Sequence, residues 1–101
     1  MTRSIRDRAT GDTLASGSEP EVFDFEGNVY FAPSTVNTEA LVVSDATYTC
    51  PYKGTCNWVD IKGGASKVAW VYPDPKPGHE KIRGAYGFYR GQRPATEEVS
   101  E

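Results

Sequence analysis

The sequence predicts a mainly β domain with at most one short helix, and three observations carry that prediction. The first is the inventory: nine Val against two Leu, with six Tyr, four Phe and two Trp, side chains that suit a pleated surface better than a helix. The second is alternation. In Asn57 to Lys62, Val59 and Ile61 face one way and Trp58 and Asp60 the other, and Lys67 to Tyr72 sets Val68, Trp70 and Tyr72 on a shared face, the two-residue period of a half-buried strand. The third is Gly27-Asn28, set between the extended runs Val22–Glu26 and Val29–Ala32, a two-residue turn of the kind hairpins prefer. At 101 residues the chain holds one domain, expected over residues 1–90.

Along the chain, Gly11-Asp12 is placed to turn a short ribbon between Ile5–Thr10 and Thr13–Ala15. The Val22–Ala32 hairpin follows and stops at Pro33-Ser34, and Ser34 to Glu39 is polar enough for a connection or one helical turn. Leu41 to Thr49 reads as extended. Pro51 cannot donate to a sheet ladder and Gly54 permits a turn that most residues resist, so Cys50-Pro51-Tyr52-Lys53-Gly54 forms an exposed corner. Gly63-Gly64 turns the next strand, and Pro73, Pro75 and Pro77-Gly78 end the one after it. A single helical turn fits in His79–Ile82, and Gly84 to Tyr89 reads as a closing strand. Residues 91–101, ending Thr96-Glu97-Glu98-Val99-Ser100-Glu101, have little apolar surface to anchor them and are expected to be a flexible acidic tail.

Composition narrows the classes. Leu, Ile, Val and Phe number only 18, but the net charge is −3 and aromatics reach 12%, so a core packed on rings is expected rather than disorder. No apolar run approaches about 18 residues, and Arg3, Arg6 and Arg8 have no apolar stretch behind them, which fits neither a membrane span nor an export signal. A cytoplasmic protein with two free thiols is the expectation. A pI near 5.1 with no clustered Lys and Arg speaks against nucleic acid as a partner.

Cys50 is the candidate nucleophile, with Lys53 beside it to favour the thiolate and His79 the chain's one imidazole. Cys50 and Cys56 flank a short loop and would form a reversible disulfide if the fold set them opposite each other. Two cysteines and one distant histidine do not make the four-ligand set of a structural zinc, so none is expected. Asp24, Glu26 and Asp74 are the carboxylates nearest to motifs, with Asp24 and Glu26 expected on one strand face. Rings from Tyr30, Tyr52, Trp58, Trp70, Tyr72, Tyr86 and Phe88 either fill the core or wall a pocket. Core is the better reading for most of them, and Trp70 and Tyr72, beside the proline bend, are the exceptions.

Three ordered motifs carry a resemblance: Glu26-Gly27-Asn28-x-Tyr30-Phe31-x-Pro33, Thr49-Cys50-Pro51-Tyr52-Lys53-Gly54, and Ala69-Trp70-x-Tyr72-Pro73-Asp74-Pro75. Over about Val22 to Tyr89 the chain resembles the family known as domain of unknown function 427, which also bears a nucleotidyltransferase label. The resemblance implies a β-tent: two antiparallel sheets meeting at an angle, similar to methionine sulfoxide reductase B and the thalidomide-binding domain of cereblon. Those relatives commonly hold zinc at the tip, and this chain lacks the cysteines for it. Where many family members carry histidine ahead of the Cys-Pro pair, this sequence has Ala46, Thr47 and Tyr48.

The expected function is a binding domain for a small polar or aromatic ligand, a class that includes nucleotide-like molecules, in an aromatic-lined pocket. Trp70, Tyr72 and Tyr30 would line the pocket, with Cys50, Lys53, Glu26, Asn28, Tyr52 and Asp74 at the rim, in a monomer or a homodimer. The enzymatic alternative uses Cys50, Lys53 and the carboxylates for thiol-dependent or nucleotidyl-transfer chemistry. A third alternative is a protein-interaction domain using a sheet edge. The sequence names no cofactor and does not decide whether the chain is an enzyme.

Overall fold

The computed structural model describes residues 1–100. Nine strands run in order: β1 (Arg3–Asp7), β2 (Thr13–Gly17), β3 (Val22–Phe25), β4 (Asn28–Phe31), β5 (Leu41–Cys50), β6 (Gly54–Ile61), β7 (Ala69–Val71), β8 (Tyr86–Phe88) and β9 (Thr96–Ser100). They form two antiparallel sheets, a three-stranded one ordered β2-β1-β9 and a six-stranded one ordered β3-β4-β8-β7-β6-β5. The mainly β prediction holds. Among the described residues helix is confined to two three-residue 3-10 turns, Pro33–Thr35 and Glu80–Ile82, within the two stretches, Ser34–Glu39 with the proline before it and His79–Ile82, where a single turn had room. Among the described residues no helix is long and apolar enough to cross a membrane.

Alternation along the strands of the larger sheet sends two apolar sets to opposite faces. Val22, Val29, Phe31, Val59, Ala69 and Phe88 pack with Ile5, Leu14 and Ala15 of the smaller sheet and form the main core. The opposite face carries Tyr30, Cys56, Trp70 and Tyr72, flanked by Phe23, Phe25, Cys50 and Trp58. Ile82 and Ala85, from the connection between β7 and β8, cover part of it. Full burial of one such side chain contributes about 1.5–3 kcal/mol, so the aromatic face adds substantially to the main core in a domain this small.

Two local expectations are corrected. The first hairpin pairs Phe25 with Asn28, so its turn residues are Glu26 and Gly27 rather than Gly27 and Asn28. Both have positive φ, 50° and 86°, as a twist-matched two-residue turn requires. The expected loose tail over 91–101 is also corrected as far as residue 100. Thr96–Ser100 pair with all five residues of β1, because Thr96 is buried and Glu98 meets Arg3 and Arg90; ion pairing supplies the anchoring that apolar residues do not. Glu101 lies outside the described residues.

Candidate functional site

The three motif-bearing patches do meet, on the aromatic face. Gly54 has φ +112°, a conformation that glycine adopts without strain, and the proline bend rests against the hairpin there. The Lys76 N–H then donates to the Lys53 carbonyl at 2.8 Å, and Lys76 Nζ donates to the Pro51 carbonyl at 2.9 Å. Lys53 Nζ reaches Glu26 Oε1 at 3.3 Å. On its other side, Glu26 Oε2 accepts from His79 Nε2 at 3.2 Å. One carboxylate thus joins the first turn, the thiol corner and the bend.

Electrostatics follow from this placement. Desolvation pushes the Glu26 carboxyl up, but hydrogen bonds from Lys53 and His79 and their charges outweigh it and hold it below the ordinary carboxylate range. An ionised carboxylate can only accept, so His79 Nε2 carries the proton. Nδ1 is then buried without a partner, while the imidazole edge packs on Phe25 at 5.7 Å. Buried polar atoms are normally satisfied, and among the described residues no protein group answers this one. His79 was absent from the sequence-derived site; its being the chain's one imidazole was the available signal.

The aromatic pocket is corrected. Tyr30, Trp70 and Tyr72 are 0%, 6% and 4% exposed and fill the space they were expected to line. Trp70 Nε1 donates to the Tyr30 hydroxyl at 3.1 Å, and the indole meets Tyr30 and Trp58 edge to face, an arrangement that satisfies the polar tips of two buried rings. These rings form a packed floor beneath the polar cluster. Tyr52, by contrast, is 75% exposed at the hairpin tip. Asn28 sits on β4, two residues from Tyr30 and on the same face, and Asp74 turns outward to Arg83 at 3.0 Å.

The carboxylates do not converge. Asp24 pairs with Arg3 and Arg90, whereas Glu26 pairs with Lys53 and His79, so the expected shared face is corrected: Glu26 has left the strand for the turn. Among the described residues no group of three His, Cys, Asp or Glu stands close enough to hold a metal ion.

Nor are the thiols opposite each other. Cys50 faces Gly54 and Cys56 faces Tyr48, so the cysteines are offset by two residues on one face, and both are free. Burial pushes the Cys56 thiol up, only partly countered by a bond from the Tyr72 hydroxyl; burial, then the charge of the neighbouring thiols, pushes the Tyr72 phenol up as well. Lys53 is committed to Glu26 rather than to the Cys50 thiol. Iodoacetamide at neutral pH is therefore expected to label Cys50 at the rate of a free model thiol, and to reach Cys56 only after denaturation, as read by peptide mass spectrometry. Labelling of Cys50 faster than the model thiol would restore the nucleophile reading.

Comparison with known proteins agrees with this fold. The model of a family described as Domain of unknown function (DUF427) matches residues 1–99. No curated protein matches the chain. Among solved structures, the crystal structure of the Mis18 'Yippee-like' domain is similar with a TM-score of 0.76 at 8% identity, covering 100% of this chain and 98% of that one. Identity that low speaks to fold alone.

Proposed function

The chain belongs to the domain of unknown function 427 family, and on that footing we propose that it is a binding domain for a small anionic, nucleotide-like ligand held by Lys53 and His79. The observation that carries this reading is the way Glu26 is held. Lys53 and His79 lie in two separate connections, β5 to β6 and β7 to β8, and both reach a carboxylate on a two-residue turn. That residue has φ 50°, the left-handed conformation that the two-residue turn requires there, so the turn itself sets the direction in which the carboxylate is presented. Glu26 is thus a resident anion that a ligand's phosphate or carboxylate displaces, taking over its bonds from Lys53 and His79 and freeing the turn.

The surroundings suit such a ligand. Lys81 lies over the Phe23 ring at 4.7 Å and with Lys76 it adds two cations to this end, while Arg83 is paired with Asp74 and Glu80 accepts from the Gly78 N–H. The exposed Tyr52 ring, one residue from Lys53, offers a face on which a base can stack. Nucleotidyl transfer is the weaker reading, because Asp24, Glu26 and Asp74 each serve a different cation and do not form a shared site for divalent ions.

A thermal-shift screen of nucleotides against their parent nucleosides tests the proposal. At 100-fold excess over Kd a nucleotide stabilises by about 2.7 kcal/mol. The shift is expected with nucleotides and not with nucleosides, to vanish in Lys53→Met, and to persist or grow in Glu26→Gln, where the competing anion is gone. Equal shifts from nucleosides, or a shift that survives Lys53→Met, would overturn it.

A further inference from the structure

We infer that the groove between the two sheets is a second, independent ligand site, one that takes an organic ammonium ion with a compact apolar body and pairs it with Asp7. The cavity there has a volume of about 790 Å³, within the range of small-molecule sites. Its walls include Leu14, Ala40, Ile61 and Ala95, and its mouth is formed by the β1–β2 turn and the Gly63-Gly64 turn. Nothing from the polar cluster at Glu26 reaches it.

Asp7 is what gives the groove a chemical preference. Ile5 and Asp7 are alternate residues of β1 and share its inward face; Ile5 is wholly buried and Asp7 is 7% exposed. A carboxylate therefore occupies a position where the strand pattern calls for an apolar side chain. Its one hydrogen bond is from the Ala9 N–H to Oδ1 at 2.9 Å, and no ion pair to it forms among the described residues. Its other oxygen has no hydrogen-bond partner and is not a fully buried atom, so it opens to the groove it lines. Arg8, next in sequence, gives its guanidinium to the Arg93 carbonyl at 2.9 Å instead.

Charge around the mouth selects the ligand further. Asp12 and Glu39 line the same groove, exposed and without an ion-pair partner among the described residues, against Arg8 and Lys62. A small anion would meet three carboxylates. A hard divalent ion wants six or more oxygen ligands, and the described residues gather no such set. An ammonium ion needs one carboxylate and a few acceptors, and its hydrocarbon body would lie on Leu14 and Ile61.

The test is a titration of the ¹⁵N-labelled full chain with benzylammonium and, separately, with the neutral benzyl alcohol, followed by amide chemical shifts. Benzylammonium is expected to move the amides of Ala9, Gly63, Gly64, Ala65 and Ala95 saturably, with benzyl alcohol at least tenfold weaker. Asp7→Asn should weaken benzylammonium at least tenfold. Should that variant not fold, Ala65→Trp, an exposed position at the mouth, should block the groove with Asp7 intact. Equal binding of the alcohol, shifts centred on Lys53 and His79, or no saturable shift would each overturn the inference. The probe is a cation and the residues are separate, so failure here leaves the anion site untouched and failure there leaves this one.

Discussion

Gly87→Ala is expected to lower the melting temperature by more than about 12 °C, although it adds a single methyl group. Gly87 lies in the middle of β8, opposite Tyr30 on one side and Trp70 on the other. Because it has no side chain, the two rings close over the backbone and reach each other. A Cβ at that position would land on Trp70 Nε1, 2.5 Å from Cε2, and 2.8 Å from Tyr30 Cε2. The backbone there is ordinary for any residue, so the whole effect is steric. The rings must part, breaking the indole-to-phenol hydrogen bond and tilting the floor under Glu26 and His79. Overpacking costs typically 1–3 kcal/mol and a buried hydrogen bond about 1 more, so about 3 kcal/mol in all, at about 4–8 °C per kcal/mol in a domain of this size. Thermal unfolding followed by indole fluorescence measures it. Trp70→Leu placed in the Gly87→Ala background should recover part of the loss; a variant that melts within a few degrees of the parent would mean that the rings do not close over this strand.

The same residue explains why the site was only half legible in the sequence. Period and turn chemistry are local, so the β class, the first hairpin with its turn set one residue late, and the exposed corner around Pro51-Tyr52-Lys53 could be read from spacing alone. Spacing also put Trp70 and Tyr72 together on a face. Whether a shared face is a hollow or a packed layer depends on what crosses it from other strands, and here the answer lies in the absence of a side chain at Gly87 and in the cover supplied by Ile82 and Ala85. No one-dimensional pattern reports that. Convergence of the three motifs was anticipated, but the imidazole that completes the cluster comes from a 3-10 segment with no period of its own. Asp7 was hidden for a different reason: in a five-residue strand with serine and arginine on either side of Ile5, one inward carboxylate does not disturb a pattern so short.

The C-terminal strand was misread because its anchoring is ionic, and that makes its stability depend on pH. Glu98, with a side chain 8% exposed, accepts hydrogen bonds from Arg3 Nη2 at 2.7 Å, Arg90 Nε at 2.9 Å and the Gly91 N–H at 3.0 Å. Burial alone would push its carboxyl up. The bonds from Arg3, Gly91 and Arg90 outweigh it, and the group titrates below the ordinary carboxylate range. A folded-state value below the unfolded one means that ionised Glu98 favours the native chain. Its contribution is fully present above the unfolded value of about 4.3 and is lost as pH falls from there through the folded value.

Glu98→Gln keeps the shape but removes the charge that faces two guanidinium groups. Hydrogen bonds to charged groups are worth about 1.5–3 kcal/mol; Arg3 keeps Asp24 as a partner at 2.8 Å, which limits the cost to about 2 kcal/mol, or about 8–16 °C at neutral pH. Denaturant unfolding of both proteins across pH 3 to 7 should show a gap that is constant above about pH 5 and closes toward the acid end, as protonation makes the parent resemble its variant. A gap that stays the same at every pH would mean that the variant loses packing rather than charge, and that β9 is held to β1 by its backbone ladder alone.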